Sequence, residues 1–269
     1  MQVEHIVNNF EISVRRTCQE INISRTSYYY EPIQDNTDEI ETQLLELAKK
    51  YPKYGYRKLY QKLRQKGVKV NHKKARRLYN ENKLKLRIKP RKKLKVIKQP
   101  QVTPTQAQKL WALDFTHDSL ANGSKIRSLN IVDLFSSRAV DVYVDRNINS
   151  YKVIDILEQL KLEQGLPEMI RSDNGREFRC KLVQDWAVNN SVKWDFIQPG
   201  KPMQNGYCER FNGTFRYEVL DAYIFDSLAE ARVIIKDWLH EYNYERPHNR
   251  LHGLTPMQYE KNMLENCLL

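Results

Sequence analysis

Residues 109–118 read KLWALDFTHD. Trp111, Leu113 and Phe115 alternate with Ala112, Asp114 and Thr116, which is the period of a β-strand. The large apolar groups fall on one face, so Asp114 lies on the other. Downstream, IRSLNIVDLFS (126–136) and SRAVDVYVDR (137–146) are two β-rich runs broken only at Ser136–Ser137, a pattern that predicts a meander of antiparallel strands. Ser150 to Gln164 reads as a helix with Val153, Ile156, Leu157 and Leu160 on one face. PEMIRSD (167–173) is a short strand ending on Asp173, and Asn174–Gly175 turns the chain. Then come a helix from Phe178 to Asn189, a strand VKWDFI (192–197), a helix from Cys208 to Leu220 and a long helix from Ser227 to Tyr242. Hairpin-linked strands followed by alternating helices and strands predict an α/β fold, a mixed sheet with helices on both faces.

The chain before Lys109 differs in composition. Residues 1–98 are basic and helical in pattern, and residues 99–108 (QPQVTPTQAQ) carry two prolines and no charge, as a linker does. All four tryptophans fall in 109–269, where a large core is therefore expected. Within the first segment, Ile40, Leu44, Leu45 and Leu47 fit one helix face. GYRKLYQKLRQKG (55–67) follows, with Leu59 and Leu63 four apart and Gly67 as a stop. In VNHKKARRLYNENKL, Asn71 is a candidate N-cap, and Ala75, Leu78 and Tyr79 share a face. Two short helices joined by a tight turn, the second rich in Lys and Arg, describe a helix-turn-helix. VRRTCQEINISRTSYYY (14–30) breaks at a small polar turn and reads as another such pair.

Charge is concentrated in the same segment. Residues 51–98 hold 20 Lys or Arg against one acid, Glu81, so they carry +19 and the rest of the +12 chain carries −7. Nucleic acid phosphates are the natural counter-charge for such a block. Arg57, Lys58, Lys73, Lys74, Arg76 and Arg77 are the candidate DNA contacts. No run approaches the roughly 18 apolar residues of a membrane span, and the first ten residues lack a secretory pattern. A cytoplasmic protein is expected. Cys18, Cys180, Cys208 and Cys267 are scattered without metal-ligand spacing, which predicts reduced thiols and no zinc site.

Three acids stand out by position: Asp114 in the first strand, Asp173 at a strand end, and Glu209 early in a helix. Such positions are rigid yet face a crevice. Carboxylate oxygens suit hard divalent cations, and phosphoryl transfer benefits from two metals about 3.5–4 Å apart. Any one acid alone is ambiguous, since a lone exposed carboxylate is more often a solvated surface group.

The pieces in order are WALDFT (111–116), RSDNGREF (171–178), 35 residues between Asp173 and Glu209, and NGYCERFNGTFR (205–216). Together they resemble the DDE transposases and retroviral integrases, which share a ribonuclease-H-like fold. The second-reading-frame product of bacterial insertion sequences is the nearest likeness. It extends over GYRKLYQKLRQKG and over EYNYERPHNRLHGLTPMQY (241–259), which is similar to that branch's YN-x-x-RPH ending. The resemblance implies that Asp114, Asp173 and Glu209 hold two Mg²⁺ (or Mn²⁺). It also implies a two-part reaction, nicking at the element's ends and then transesterification by the freed 3′-hydroxyl. The expected partners are double-stranded DNA, as transposon ends and target, further copies of the chain, and the upstream-frame product of the same element.

Asn212 and Arg216 fall three and seven residues after Glu209, on the same helical face, and Arg216 matches a basic residue that family members use on phosphate. Asn205 precedes the helix in a candidate DNA-shaping loop. Asp133, Glu177 and Glu218 read as structural or surface acids, Glu218 on the side of its helix away from Glu209. His117 has no ligand partner. Tyr242, Asn243, Arg246, Pro247 and His248 match a family signature that equally reads as tail packing. The chain departs from retroviral integrases in lacking their zinc module, since residues 1–98 offer only His5, Cys18 and His72. Two other readings share most of these features: a DNA-binding regulator with a nuclease-like domain, and a purely hydrolytic ribonuclease-H-like nuclease.

Overall fold

The computed structural model describes residues 2–10, 12–30, 37–86, 104–197 and 206–267. Asn205 and residues 99–103 of the 99–108 linker lie outside the described residues. The chain opens with α1 (Gln2–Phe10), α2 (Val14–Glu20) and α3 (Arg25–Tyr28), the last two capped by Ser13 and Ser24. Then follow α4 (Thr37–Lys50), α5 (Tyr56–Gln65) and α6 (His72–Glu81). Asn71 caps α6 by accepting from Lys73 N at 2.9 Å, which satisfies one of the orphan amides of the first turn. Gly67 ends the turn after α5 at φ +83°, a region that costs glycine nothing. Ile40, Leu44, Leu59, Leu63, Ala75 and Leu78 pack into a core belonging to α4–α6 alone.

The second half is built on a sheet of order β3-β2-β1-β4-β5. Strands β1 (Leu110–Ser119), β2 (Lys125–Asp133) and β3 (Ala139–Asp145) form the antiparallel meander. Strands β4 (Met169–Ser172) and β5 (Lys193–Phe196) add in parallel beyond β1. The alternation in β1 sorts its residues as expected. Trp111 and Leu113, with Leu129 and Ile131 of β2, meet Val153, Ile156, Leu157 and Leu160 of α7 (Ser150–Gln164), and Phe178 and Trp186 join them. Each such side chain contributes about 1.5–3 kcal/mol on full burial, so a one-residue slip of β1 is prohibitive. Ala112 and Val132 face the other way, toward α10 (Gly206–Phe215) and α11 (Leu228–His240). Helices therefore cover both faces of the sheet.

Three expected helices differ in detail. The one begun at Phe178 is two pieces, α8 (Arg176–Arg179) and α9 (Lys181–Asn189). Phe178, fully buried and stacked on Phe115 at 4.9 Å, pins the short first piece, and Cys180 is extended between them. The helix through Leu220 is α-helical only to Phe215 and continues as a π-helical turn, Arg216–Leu220. The last long helix likewise passes into a π-helical turn, Glu241–Glu245. A closing helix, α12 (Pro256–Cys267), begins on a proline, whose missing N–H is an orphan there anyway. Gln108, read as linker, is anchored instead: its amide donates to Asp133 Oδ2 at 2.7 Å and its side chain to Gln164 O.

Among the described residues no helix is long and apolar enough to cross a membrane.

Candidate active site

Asp114 lies mid-strand in β1, opposite Asn130 of β2 and one residue beyond the pairing of Leu113 with Ser172. Its side of the sheet is lined by small or polar groups, Thr116, Ser128 and Asn130, all buried. That is why a carboxylate can stand between the sheet and α10 without meeting a wall of apolar side chains. Its Oδ1 accepts from Phe115 N at 2.9 Å and its Oδ2 from Asn212 Nδ2 at 2.8 Å. Burial pushes its carboxyl up to about 6 against those two donors, and the charges of Asp173 and Glu209 add to the rise.

Asp173 follows directly on β4 and is exposed, with its Oδ1 accepting from Gly175 N at 3.0 Å. Its backbone is fixed from both sides. Ser172 Oγ donates to the Asp173 carbonyl at 2.9 Å and itself accepts from Trp194 Nε1, and Asn174 Nδ2 donates to Ile197 O at 2.6 Å. Glu209 stands in the first turn of α10, exposed, and makes no hydrogen bond or ion pair with the described residues. Cys208 beside it is buried against Leu110, Ala112 and Leu134, which seats the start of the helix on β1. Burial drives the Cys208 thiol up, and Asp114, Glu209 and Asp173 all raise it further, so the three charges act on one point.

These carboxylates share a field but do not close on one centre. Among the described residues no three His, Cys, Asp or Glu side chains are gathered to hold a metal. The donor set nevertheless suits a hard divalent cation: oxygens only, mutually repelling, and among the described residues Glu209 has no partner and Asp173 is bound only to an amide.

Asn212 and Arg216 both turn toward β1, as their spacing from Glu209 requires. Asn212 bonds Asp114, and Arg216 Nη2 donates to His117 O at 2.7 Å while remaining exposed to solvent. Sequence reasoning missed Asn130. It is fully buried and donates through Nδ2 to Thr116 Oγ1 at 2.8 Å and to Asn212 Oδ1 at 2.7 Å, which fixes the amide that holds Asp114. The alternation of Ser128, Asn130 and Val132 carried that signal, but only once β2 is known to pair with β1. Asp133 is structural, fully buried and accepting from the amides of Gln108 and Phe135. Glu177 pairs with Arg127.

One expectation is corrected. Lys58, read as a DNA contact, has its ammonium 2.9 Å from Glu218 Oε1. Glu218, read as a structural or surface acid, is structural: its side chain is 6% exposed and binds Lys58, Arg246 and Trp238 Nε1 together. The uniform charge of residues 51–98 hid the fact that one face of α5 turns inward to the end of the chain. Lys62, four residues on, meets Glu245 at 3.4 Å, and Tyr51 and Tyr54 donate to Glu245 and Glu241. The other candidates stay outward: Arg57, Lys73, Arg76 and Arg77 are exposed and Lys74 is half-buried. Arg76 lies over the Tyr56 ring.

Comparison with known proteins agrees with this architecture. Residues 35–93 match an HTH-like domain, and residues 104–202 and 190–256 match the integrase core domain in two overlapping parts. The chain is 37% identical over 250 residues to the insertion element IS407 uncharacterized 31.7 kDa protein of Burkholderia multivorans, covering 92% of this chain and 90% of that one. It is 36% identical over 262 residues to the insertion element IS476 uncharacterized 39.2 kDa protein of Xanthomonas euvesicatoria, covering 97% and 76%. Among solved structures, the simian T-cell lymphotropic virus intasome in complex with PP2A regulatory subunit B56 gamma matches with a TM-score of 0.52 at 18% identity, over 81% of this chain and 74% of that chain. That likeness shows the ribonuclease-H-like fold. With an HTH-like unit leading into an integrase core, and insertion-element relatives matched over most of their length, the chain belongs to the insertion-sequence transposases of the second-reading-frame type, within the DDE transposase and retroviral integrase superfamily.

Proposed function

We propose that the chain catalyses metal-dependent cleavage of DNA at the ends of its insertion sequence, followed by transfer of the freed 3′-hydroxyl to target DNA. Asp114, Asp173 and Glu209 are the catalytic carboxylates and hold two Mg²⁺ (or Mn²⁺). The observation that carries this reading is the state of Asp114, half-buried on the small-residue face of β1 and feeling the charges of Asp173 and Glu209. The structural acids are closed off, Glu218 by cations and Asp133 by two amides. Glu209 makes no bond with the described residues, Asp173 is exposed, and the charges of both reach Asp114.

Bound there, the metal ions neutralise charge at phosphorus and lower the pKa of the attacking hydroxyl. The protein's own part is orientation. Phe115 N and Asn212 fix both Asp114 oxygens, Asn130 fixes Asn212, and the ladder between β1 and β4 sets Asp114 beside Asp173. Arg216 offers its remaining donors to a backbone phosphate near the carboxylates. Residues 1–98 supply DNA binding through α6, with Lys73, Lys74, Arg76 and Arg77 on its outer surface. They precede a linker, 99–108, and a catalytic unit, 109–269. Asn205 is a further candidate DNA contact. Two ends must be brought together, so a multimer of the chain assembles on DNA, and the upstream-frame product of the same element is a further partner. The site of action is the bacterial cytoplasm, on the nucleoid.

The test is incubation of purified protein with Mg²⁺ and labelled DNA carrying the element's own ends. Joined product supports the proposal. Nicking without joining would make the protein a nuclease, and a mobility shift without cleavage would make it a regulator.

A further inference from the structure

A cavity of about 220 Å³ opens between α10, the β2–β3 turn and residues 246–250. It lies on the flank of α10 opposite the carboxylates. At 100° per residue, Tyr207, Arg210, Phe211 and Thr214, which line it, are half a turn from the Glu209, Asn212 and Arg216 side. Its walls carry four cations, Lys58, Arg210, Arg246 and Arg250, and no carboxylate.

The four cations are not equivalent. Lys58 and Arg246 answer Glu218, which stands behind the wall. Arg250 has only neutral partners: Nη1 donates to Ser137 Oγ at 2.6 Å, and both Nη1 and Nη2 donate to Leu134 O at 3.2 Å. Its guanidinium lies 4.3 Å from the centroid of the Tyr207 ring. It is thus held rigidly, its charge is uncancelled, and three of its five N–H donors are used. Arg210 is exposed and makes no side-chain hydrogen bond or ion pair with the described residues. Two unanswered guanidinium groups, one fixed and one free, face a cavity that also offers the hydroxyls of Ser137 and Thr214. That chemistry selects an oxyanion carrying at least one negative charge and several acceptor oxygens.

We propose that this cavity is a phosphodiester subsite, in which Arg210 and Arg250 hold the backbone of a DNA strand that crosses the N-terminal end of α10. A helix with its side chains is about 10–12 Å across, and successive phosphates of a duplex strand, which winds as it rises, are roughly 6–7 Å apart. The phosphate in the cavity is therefore about two nucleotides from the one at the carboxylates. Only the identity of the phosphate's carrier rests on the reading of the chain as a strand-transfer enzyme.

Equilibrium binding by the full-length protein tests this without requiring catalysis. The probe is a fluorescent duplex bearing the terminal sequence of the element, with or without a single uncharged methylphosphonate at each linkage near the cleavage point. Arg210→Gln and Arg250→Gln are each expected to bind about tenfold more weakly, the size of one lost charged hydrogen bond. Each should also lower the slope of log affinity against log salt by about one. One methylphosphonate, about two nucleotides from the cleavage point, should cost the wild type the same factor and cost Arg210→Gln nothing more. Unchanged affinity and slope in Arg210→Gln would overturn the proposal, and so would methylphosphonate losses that add in full at every linkage. The Arg210 side chain makes no bond with the described residues, so this variant remains informative even if Arg250→Gln folds poorly. Inorganic phosphate is the second arm. If it raises the melting temperature of the wild type but not of Arg210→Gln while the methylphosphonate series is flat, the cavity is a free-anion site and the DNA reading is overturned. Failure of the catalytic reading shows separately, as wild-type protein that binds ends but never cleaves them with Mg²⁺.

Discussion

Arg246 grips Glu218 through two nitrogens, Nη2 at 2.9 Å from Oε1 and Nε at 3.0 Å from Oε2. Both side chains are nearly closed to solvent, and Lys58 completes the cluster from α5. Burial alone would push the Glu218 carboxyl up, but Arg246 and Lys58 hold it below the usual carboxylate range. Glu218 lies in the π-helical turn that prolongs the Glu209 helix. One carboxylate therefore ties together the helix of the third acid, the Arg-Pro-His segment and the HTH-like unit.

Breaking that cluster should cost stability directly. Glu218→Ala leaves Arg246 buried without its counter-charge, and removing one partner of a buried pair costs about 3–5 kcal/mol. Urea unfolding is expected to show a lower midpoint for Glu218→Ala, with Glu218→Gln in between. Equal midpoints for all three proteins would remove the cluster from any role in holding the fold.

The carboxylate site should behave differently. Asp114→Asn, Asp173→Asn and Glu209→Gln each keep shape and remove one charge. Single-turnover cleavage and joining should fall by at least about a hundredfold, and affinity for DNA ends should hold. EDTA should reproduce the loss, and Mg²⁺ or Mn²⁺ should reverse it. Near-normal joining by Asp173→Asn would sink the assignment.

Arg216 and Asn130 probe orientation around that site. Arg216→Ala removes a phosphate contact of about 1.5–3 kcal/mol, so cleavage of ends should slow by roughly tenfold or more at an unchanged melting temperature. Asn130→Ala frees the Asn212 amide and should lower the rate of cleavage while leaving end affinity unaltered. A melting temperature that falls with the rate in Arg216→Ala would make that arginine a structural residue.

His248 predicts an acid limit. Its imidazole is buried, and that burial with the neighbouring Arg246 brings it down from 6.5 to about 3. The unfolded chain therefore binds a proton that the folded chain refuses between those values. The imidazole's own contribution to stability is flat above pH 6.5 and falls as pH drops through the window, by about 2 kcal/mol at pH 5, while the raised carboxyls of Asp114 and Asp141 act in the opposite direction. Glu218, whose carboxyl is lowered, adds its own loss only below its usual value of 4.5. Urea unfolding of the wild type and His248→Gln at pH 7 and pH 5 isolates the effect, since the variant should lose about 2 kcal/mol less between the two. Identical losses would mean that the imidazole is not held neutral.

The sheet was legible in the sequence because alternation is a local property: Trp111, Leu113 and Phe115 declare a face without reference to anything distant. The spacing of Asn212 and Arg216 from Glu209 was legible for the same reason, since both precede or open the π-helical turn. Glu218 was not. Counting at 100° per residue turns it away from Glu209, but says nothing of what waits there, and its partners lie 160 and 28 residues off. Lys58 was misread because charge density does not reveal which cations of an amphipathic helix point inward. Asn130 needed a register, Asp114 opposite Asn130, that only strand pairing supplies.

The cluster at Glu218 also has an order of synthesis. Lys58 emerges 188 residues before Arg246, which at about 5–20 residues per second is roughly 10–40 s of translation. The α4–α6 unit has a core of its own and can fold in that interval. Lys58 and Lys62 still lack Glu218 and Glu245 then, so the nascent unit presents a larger cationic surface than the finished protein keeps. Its strongest unselective attraction to nucleic acid therefore belongs to the growing polypeptide on the ribosome, and completing the chain tempers it.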